Sequence, residues 1–135
     1  MIYELLALSE VLKVVQQTGT EVRYHSPKCE QGVAGLYRLS ANVDRLVICP
    51  DNQRNHSDLF DTIRHEAIHV VQACKGGAIL PYDYHLKNAT DSVRKAVSTY
   101  PKDRHTQHIE LEAHLAAEQL SEKQVINLLH KYCFE

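Results

Sequence analysis

The sequence predicts a small α+β domain: an N-terminal helix, a short antiparallel β-sheet that includes a hairpin, and a run of helices to the C-terminus. Three observations predict it. Apolar residues recur at three- and four-residue steps in five separate segments, the signature of helices with one buried face. Between residues 21 and 49 the period shifts to two, broken by Pro, Gly and polar clusters, which marks short strands. At 135 residues with 44% hydrophobic residues, and with no repeat, low-complexity tract or linker, the chain suits one compact domain (1–135) able to bury a core.

In chain order, Leu5, Leu8, Leu12 and Val15 predict a core helix that Thr18-Gly19 ends. Residues 21–25, with Val22 and Tyr24 on one side, read as a strand, followed by a loop holding Pro27 and Gly32. Residues 33–39 and 45–49, joined by a polar connection at 40–44 and closed by Pro50-Asp51-Asn52, predict a β-hairpin. Two strands alone are marginal, so the hairpin must join the first strand and lie on helices. A helix follows from about 57 to 74, with Phe60, Ile63, Ala67, Val70, Val71 and Cys74 as its apolar stripe and Gly76-Gly77 as its stop. Residues 76–85 are turn-rich. Helices are then predicted at 90–99, with Ala89, Val93, Ala96 and Val97 on one face, and at 107–120. A last helix carrying Val125, Leu128, Leu129 and Tyr132 follows a Ser121/Gln124 capping box.

The net charge is −2, with 15 basic and 17 acidic residues interspersed, so nothing predicts an electrostatic grip on nucleic acid or an acidic membrane. The start Met1-Ile2-Tyr3-Glu4 lacks the basic region of a signal peptide, and no 18-residue apolar run exists to span a bilayer. The expectation is a cytoplasmic protein. Its cysteines, Cys29, Cys49, Cys74 and Cys133, form no C-x-x-C pair, and in that compartment the default is four reduced thiols.

The chemistry concentrates in His65-Glu66-Ala67-Ile68-His69. Residues i and i+4 share a helix face, so two imidazoles can grip one metal ion from one turn. Glu66, on an adjacent direction, can take a proton from water at that ion without being a ligand. With 9 His and 10 Glu in the chain, the pattern is expected by chance roughly 0.04 times. The competing reading is an amphipathic helix with two surface histidines. Gln72, one turn on, has two readings as well: an outer partner orienting a ligand imidazole, or an exposed polar residue.

A catalytic zinc needs a third protein ligand and an open position for water. The predicted helix at 107–120 offers Glu110 and Glu112. Its helical projection puts Ile109, Ala113, Ala116, Ala117 and Leu120 on a buried arc that widens through Leu115, with Glu112 inside it and Glu110 outside, next to His114 and Glu118. A buried carboxylate is costly unless paired or bound to a cation, so Glu112 is the expected third ligand. The alternative is a partly exposed Glu112 paired with Lys or Arg.

The hairpin, the His-Glu-x-x-His helix and the later Glu110-Leu111-Glu112-Ala113 together resemble the gluzincin metallopeptidases, most nearly the small single-domain forms of phages and mobile elements. The resemblance covers roughly residues 33–120. It implies a zincin-like fold, a Zn2+ cofactor bound by His65, His69 and Glu112, and Glu66 as general base. The metzincin pattern is absent, since Gln72 and Lys75 stand where Gly and His would be needed. SprT-like proteases are the alternative: His85, 16 residues beyond His69, would supply the third ligand, although Leu86 departs from their pattern.

The resemblance implies a zinc metallopeptidase acting on a protein or peptide substrate, whose oxyanion needs a donor opposite the metal. The candidates are Tyr82, Tyr84, His85, His105 and His108, with His108 ranked first as a catalytic residue because it sits one turn before Glu112. Its other reading is a solvated histidine at a helix start. His25, His56, His114 and His130 are expected at the surface. An extended substrate would pair along residues 33–39 of the hairpin edge. The alternative of another class is a non-catalytic binding or regulatory module stabilised by zinc.

Overall fold

The computed structural model describes residues 5–6 and 9–134. Leu8 and the first four residues, used in the sequence reading, lie outside the described residues. The fold is α+β, as the pattern predicts, and it is organised around one long helix.

Helix α1 (Glu10–Gln17) starts at Ser9, whose side chain accepts from the Leu12 N–H, and buries Val11, Leu12, Val14 and Val15. Strands β1 (Glu21–Arg23), β2 (Gly35–Ser40) and β3 (Val43–Ile48) form one sheet in the order β1-β3-β2. The hairpin β2/β3 is antiparallel, and Ser40 pairs with Val43, so the turn is only Ala41-Asn42 rather than the longer connection expected. β1 pairs with β3 in parallel, which corrects the all-antiparallel sheet of the sequence reading. The cause is topological: β1 leads into a 3₁₀ turn (Pro27–Gln31) and crosses over before β2 begins, so the chain comes back to β3 from the far edge. β3 is therefore central and supplies the buried Leu46, Val47 and Ile48, while β2 keeps a free edge among the described residues.

Helix α2 (His56–Lys75) carries the motif. Asn55 caps it through the Asp58 N–H, and Gly76, at φ 88°, ends it in the left-handed conformation that glycine adopts most cheaply. It packs against β2 and β3, against α1, and against the two C-terminal helices, so Leu59 and Ile68 are buried along with Ile63, Ala67, Val70 and Val71 of the predicted stripe, whereas Phe60 is half-buried and Cys74 exposed. Helix α3 (Tyr82–Asn88) falls in the stretch read as turns; at seven residues after Pro81 it is too short to show a period. Helices α4 (Asp91–Val97), α5 (Arg104–Gln119) and α6 (Glu122–Cys133) follow, the last with the predicted capping box formed in both directions. α5 lies between α2 on one side and α3 and α4 on the other. Leu111 and Leu115 join Val93 and Val97 in a satellite cluster beside the main core.

The cysteines form two disulfides, Cys29–Cys49 and Cys74–Cys133, which corrects the expectation of four reduced thiols. Sequence separations of 20 and 59 hid the pairing, while folding brings the Cα atoms to 5.4 and 5.1 Å, within disulfide range. No helix among the described residues is long and apolar enough to cross a membrane.

Candidate metal centre

α2 presents His65 and His69 one turn apart, with their Nε2 atoms 3.2 Å from each other. The third group facing them is Glu110 of α5. Its Oε1 lies 3.2 Å from His65 Nε2 and its Oε2 lies 3.3 Å from His69 Nε2, and the three side chains are only 11–16% exposed. Among the described residues this trio is one of two groups whose donor atoms are close enough to hold a metal ion. Glu110 Oε1 is buried with no hydrogen-bond partner. A buried carboxylate oxygen without a donor is costly, and a cation between the three side chains is the partner that its position admits.

Glu112, the expected ligand, is buried as predicted, at 2% exposure, but it does not face His65 and His69. Four residues from three segments supply it with donors instead. It accepts from the Ile79 N–H at 2.8 and 3.0 Å, the Leu80 N–H at 2.8 Å, Gln72 Nε2 at 3.0 Å and His85 Nε2 at 2.6 Å. The demand for a cation is thus met by hydrogen bonds. The sequence projection assumed that α5 has one buried side. In fact α3 and α4 cover the other, so burial did not distinguish the two glutamates, and the carboxylate turned toward α2's imidazoles is Glu110.

His85 is buried against Glu112 and does not reach the His65/His69 pair, so it is not placed to be the third ligand. His108 is likewise moved out of the role given to it: its Nε2 donates to the Leu80 carbonyl at 2.7 Å, and its ring packs beside Tyr82 and His85. His85, His108 and Glu112 form the second candidate metal group, but its carboxylate is already saturated with donors.

Glu66 is buried at the wall of a cleft of about 570 Å3 that is also lined by Gly35, His65, Tyr100, His114 and Ala117. Burial pushes its carboxyl above the usual range, against the lowering effect of the His65 and His69 charges. Glu110 shows the opposite balance: burial raises it, but the two histidines beside it hold it well below the usual carboxylate range. Burial pulls His69 down, yet Glu110 against its Nε2 and the charge of Glu66 lift it to about 9. The carboxylates therefore favour positive charge at this spot.

Two further groups escaped the sequence reading. His114, expected at the surface, stacks edge-on against His65 with ring centroids 4.3 Å apart, and its Nε2 is buried without a partner. Burial, then the charge on His65, holds it down at about 4, so it stays neutral. Tyr100, from the segment after α4, lies 5.8 Å from the His114 ring; burial, then the charges of Glu110 and Glu66, keeps its phenol above the usual range. One signal was available: Glu110 and His114 repeat on α5 the i, i+4 spacing of His65 and His69 on α2. His25, His56 and His130 are exposed, as expected.

A family model for a domain of unknown function, DUF8637, matches residues 5–134, nearly the whole chain. The chain belongs to the DUF8637 family. No curated protein and no solved structure matches it. For this DUF8637 domain the functional argument therefore rests on the residues at the cleft.

Proposed function

We propose that this DUF8637 domain is a zinc-dependent metallopeptidase of gluzincin type, with His65, His69 and Glu110 as ligands and Glu66 as general base. The observation that carries the proposal is the spacing of the three donors. Zinc sits 2.0–2.1 Å from imidazole nitrogen, so a tetrahedral site needs donor atoms about 3.3 Å apart. His65 Nε2 lies 3.2 Å from His69 Nε2 and 3.2 Å from Glu110 Oε1, and His69 Nε2 lies 3.3 Å from Glu110 Oε2. Three protein ligands leave a fourth position open, which suits catalysis rather than a closed structural site.

When bound, zinc acidifies water and polarises a peptide carbonyl. The rest belongs to the chain. Glu66, beside both histidines but not one of the trio, takes the proton of the attacking water and passes it to the leaving amine; burial raises its basicity for that task. Tyr100 and His114, which line the cleft together with His65 and Glu66, are the donors best situated for the oxyanion, in place of His108. An extended peptide pairs with the free edge of β2, whose first residue, Gly35, borders Glu66. The two disulfides favour an oxidising compartment over the expected cytoplasm.

The test is elemental analysis for zinc on wild type and Glu110→Ala, followed by a peptide-library digest with Glu66→Gln as the blank. One zinc per chain, lost in Glu110→Ala, with cleavage that Glu66→Gln abolishes, is the expected result. Zinc binding with no cleavage would leave a zinc-stabilised binding module in its place, and cleavage that survives in Glu66→Gln would overturn the role given to Glu66.

A further inference from the structure

We infer that Gln72 and Glu112 are positioning residues for the metal centre: a buried hydrogen-bond chain of fixed polarity, anchored by His85 and the 79–80 turn, holds His69 in the tautomer with a bare Nε2. The inference rests on the metal reading of His65, His69 and Glu110, and it gives a role to two residues that the ligand set leaves out.

The polarity follows from which groups can only accept. Glu112 Oε1 already accepts from the Ile79 N–H at 2.8 Å, and the Ile109 carbonyl has no proton to give. Both lie against the same end of the Gln72 side chain, at 3.0 and 3.1 Å. That end must be the amide nitrogen, since the reverse orientation would set the amide oxygen against two other oxygens. Gln72 Oε1 is thereby turned to His69 Nδ1, 2.8 Å away, and an oxygen there requires a proton on Nδ1. Bound to an ion, the imidazole is neutral and carries only one N–H, so with the proton on Nδ1 the Nε2 lone pair is left for the metal. That lone pair faces His65 Nε2 and Glu110 Oε2, the other donors of the trio. The other tautomer would place a hydrogen where the ion belongs and a lone pair against the amide oxygen.

The anchor lies outside α2. Glu112 is fixed by the Ile79 and Leu80 N–H groups and by His85 of α3, so a short helix remote from the cleft sets the orientation of Gln72 and, through it, of His69. Ligand imidazoles held by such outer hydrogen bonds typically lose 10–100-fold in metal affinity when the partner is removed.

The experiment is competition for Zn2+ against a chromophoric chelator on folded wild type, Gln72→Leu, Glu112→Gln and Val71→Ala, with 15N NMR of the His69 ring in the zinc-loaded proteins. Gln72→Leu should bind zinc about 10–100-fold more weakly, and the exchange-protected His69 Nδ1–H signal should vanish. Glu112→Gln, which keeps the shape but removes one of the two obligate acceptors, should weaken binding by a smaller factor. Val71→Ala, a buried neighbour outside the chain of bonds, should lower the melting temperature and leave zinc affinity unchanged. Wild-type affinity in both Gln72→Leu and Glu112→Gln, or an equal loss in Val71→Ala, would overturn the inference while the metal reading stands. Absence of zinc binding by the wild type would overturn both.

Discussion

Gly35 is where β2 and the motif helix come closest, and Gly35→Ala tests that packing in a way that can be worked out beforehand. A Cβ built on Gly35 would stand 2.7 Å from Thr62 Cγ2, 3.1 Å from the Val47 carbonyl oxygen and 3.2 Å from Glu66 Cγ. The first contact is shorter than real Cβ atoms tolerate, and the second is to the backbone of the central strand, which cannot yield easily. Overpacking of this kind costs about 1–3 kcal/mol. For a domain of this length that lowers Tm by roughly 4–10 °C. Thr62→Ser removes Cγ2, the worst contact, and keeps the hydroxyl that donates to Gln53 Oε1 at 3.1 Å. The double variant should therefore recover about 1 kcal/mol relative to the sum of the single changes. The assay is thermal and urea unfolding of the four proteins in the cycle, with zinc affinity measured alongside. Since Glu66 is the other side chain in the way, cleavage should fall in Gly35→Ala while zinc affinity holds. A Gly35→Ala protein as stable as wild type, or a cycle with no coupling to Thr62, would refute the packing argument.

Glu110→Gln and Glu112→Gln should separate the two glutamates by zinc titration: the first removes a ligand and should lose tight binding outright, whereas the second should keep it in weakened form. Glu112 should also show in acid. Burial raises the Glu112 carboxyl, but the bonds from His85, Gln72, Ile79 and Leu80 bring it below its ordinary 4.5. A lowered folded-state value means stability that is present above about 4.5 and lost as pH falls through the folded-state value. Glu112→Gln should flatten that acid limb in urea unfolding measured at successive pH values; an unchanged limb would contradict the assignment. The loop-closure relation gives about 4 kcal/mol for Cys74–Cys133, which closes 59 residues, and about 3 kcal/mol for Cys29–Cys49, which closes 20. Reduction should lower Tm accordingly, and Cys74→Ala/Cys133→Ala should be the costlier double variant.

Much of the fold was legible because it follows from periodicity and capping. The Ser121/Gln124 box, the glycine that stops α2 and the two-residue alternation of the hairpin are local signals, and each lies where its chemistry requires. What escaped depends on contacts distant in sequence. α3 spans under two turns and leaves Tyr84 and Leu86 exposed, so it has no apolar stripe to read. The parallel pairing of β1 is settled by the crossover, not by the composition of Glu21–Arg23. At the site, the His65-Glu66-His69 turn was legible because helix geometry alone brings the two imidazoles together. Choosing between Glu110 and Glu112 needed the position of α4: with Val93 and Val97 covering Leu111 and Leu115, α5 has no solvent face along its middle, and a one-sided projection misassigns the carboxylates.

The two glutamates stand two residues apart, about 200° around α5, yet both act on His69. Glu110 meets the ring at Nε2, at 3.3 Å, and Glu112 reaches the opposite edge through Gln72, which is 2.8 Å from Nδ1. Their surroundings decide what each can do. Glu110 has an orphaned oxygen and is flanked by imidazoles, so it is available to a cation. Glu112 is saturated by two backbone N–H groups, an amide and an imidazole, so it is a fixed acceptor and a poor ligand. Moving Glu112 into the ligand role would mean breaking four hydrogen bonds in a site closed to water. Each of those, made to a charged group, is worth about 1.5–3 kcal/mol, so the division of labour between the two carboxylates is set by burial and donor supply rather than by their spacing in the chain.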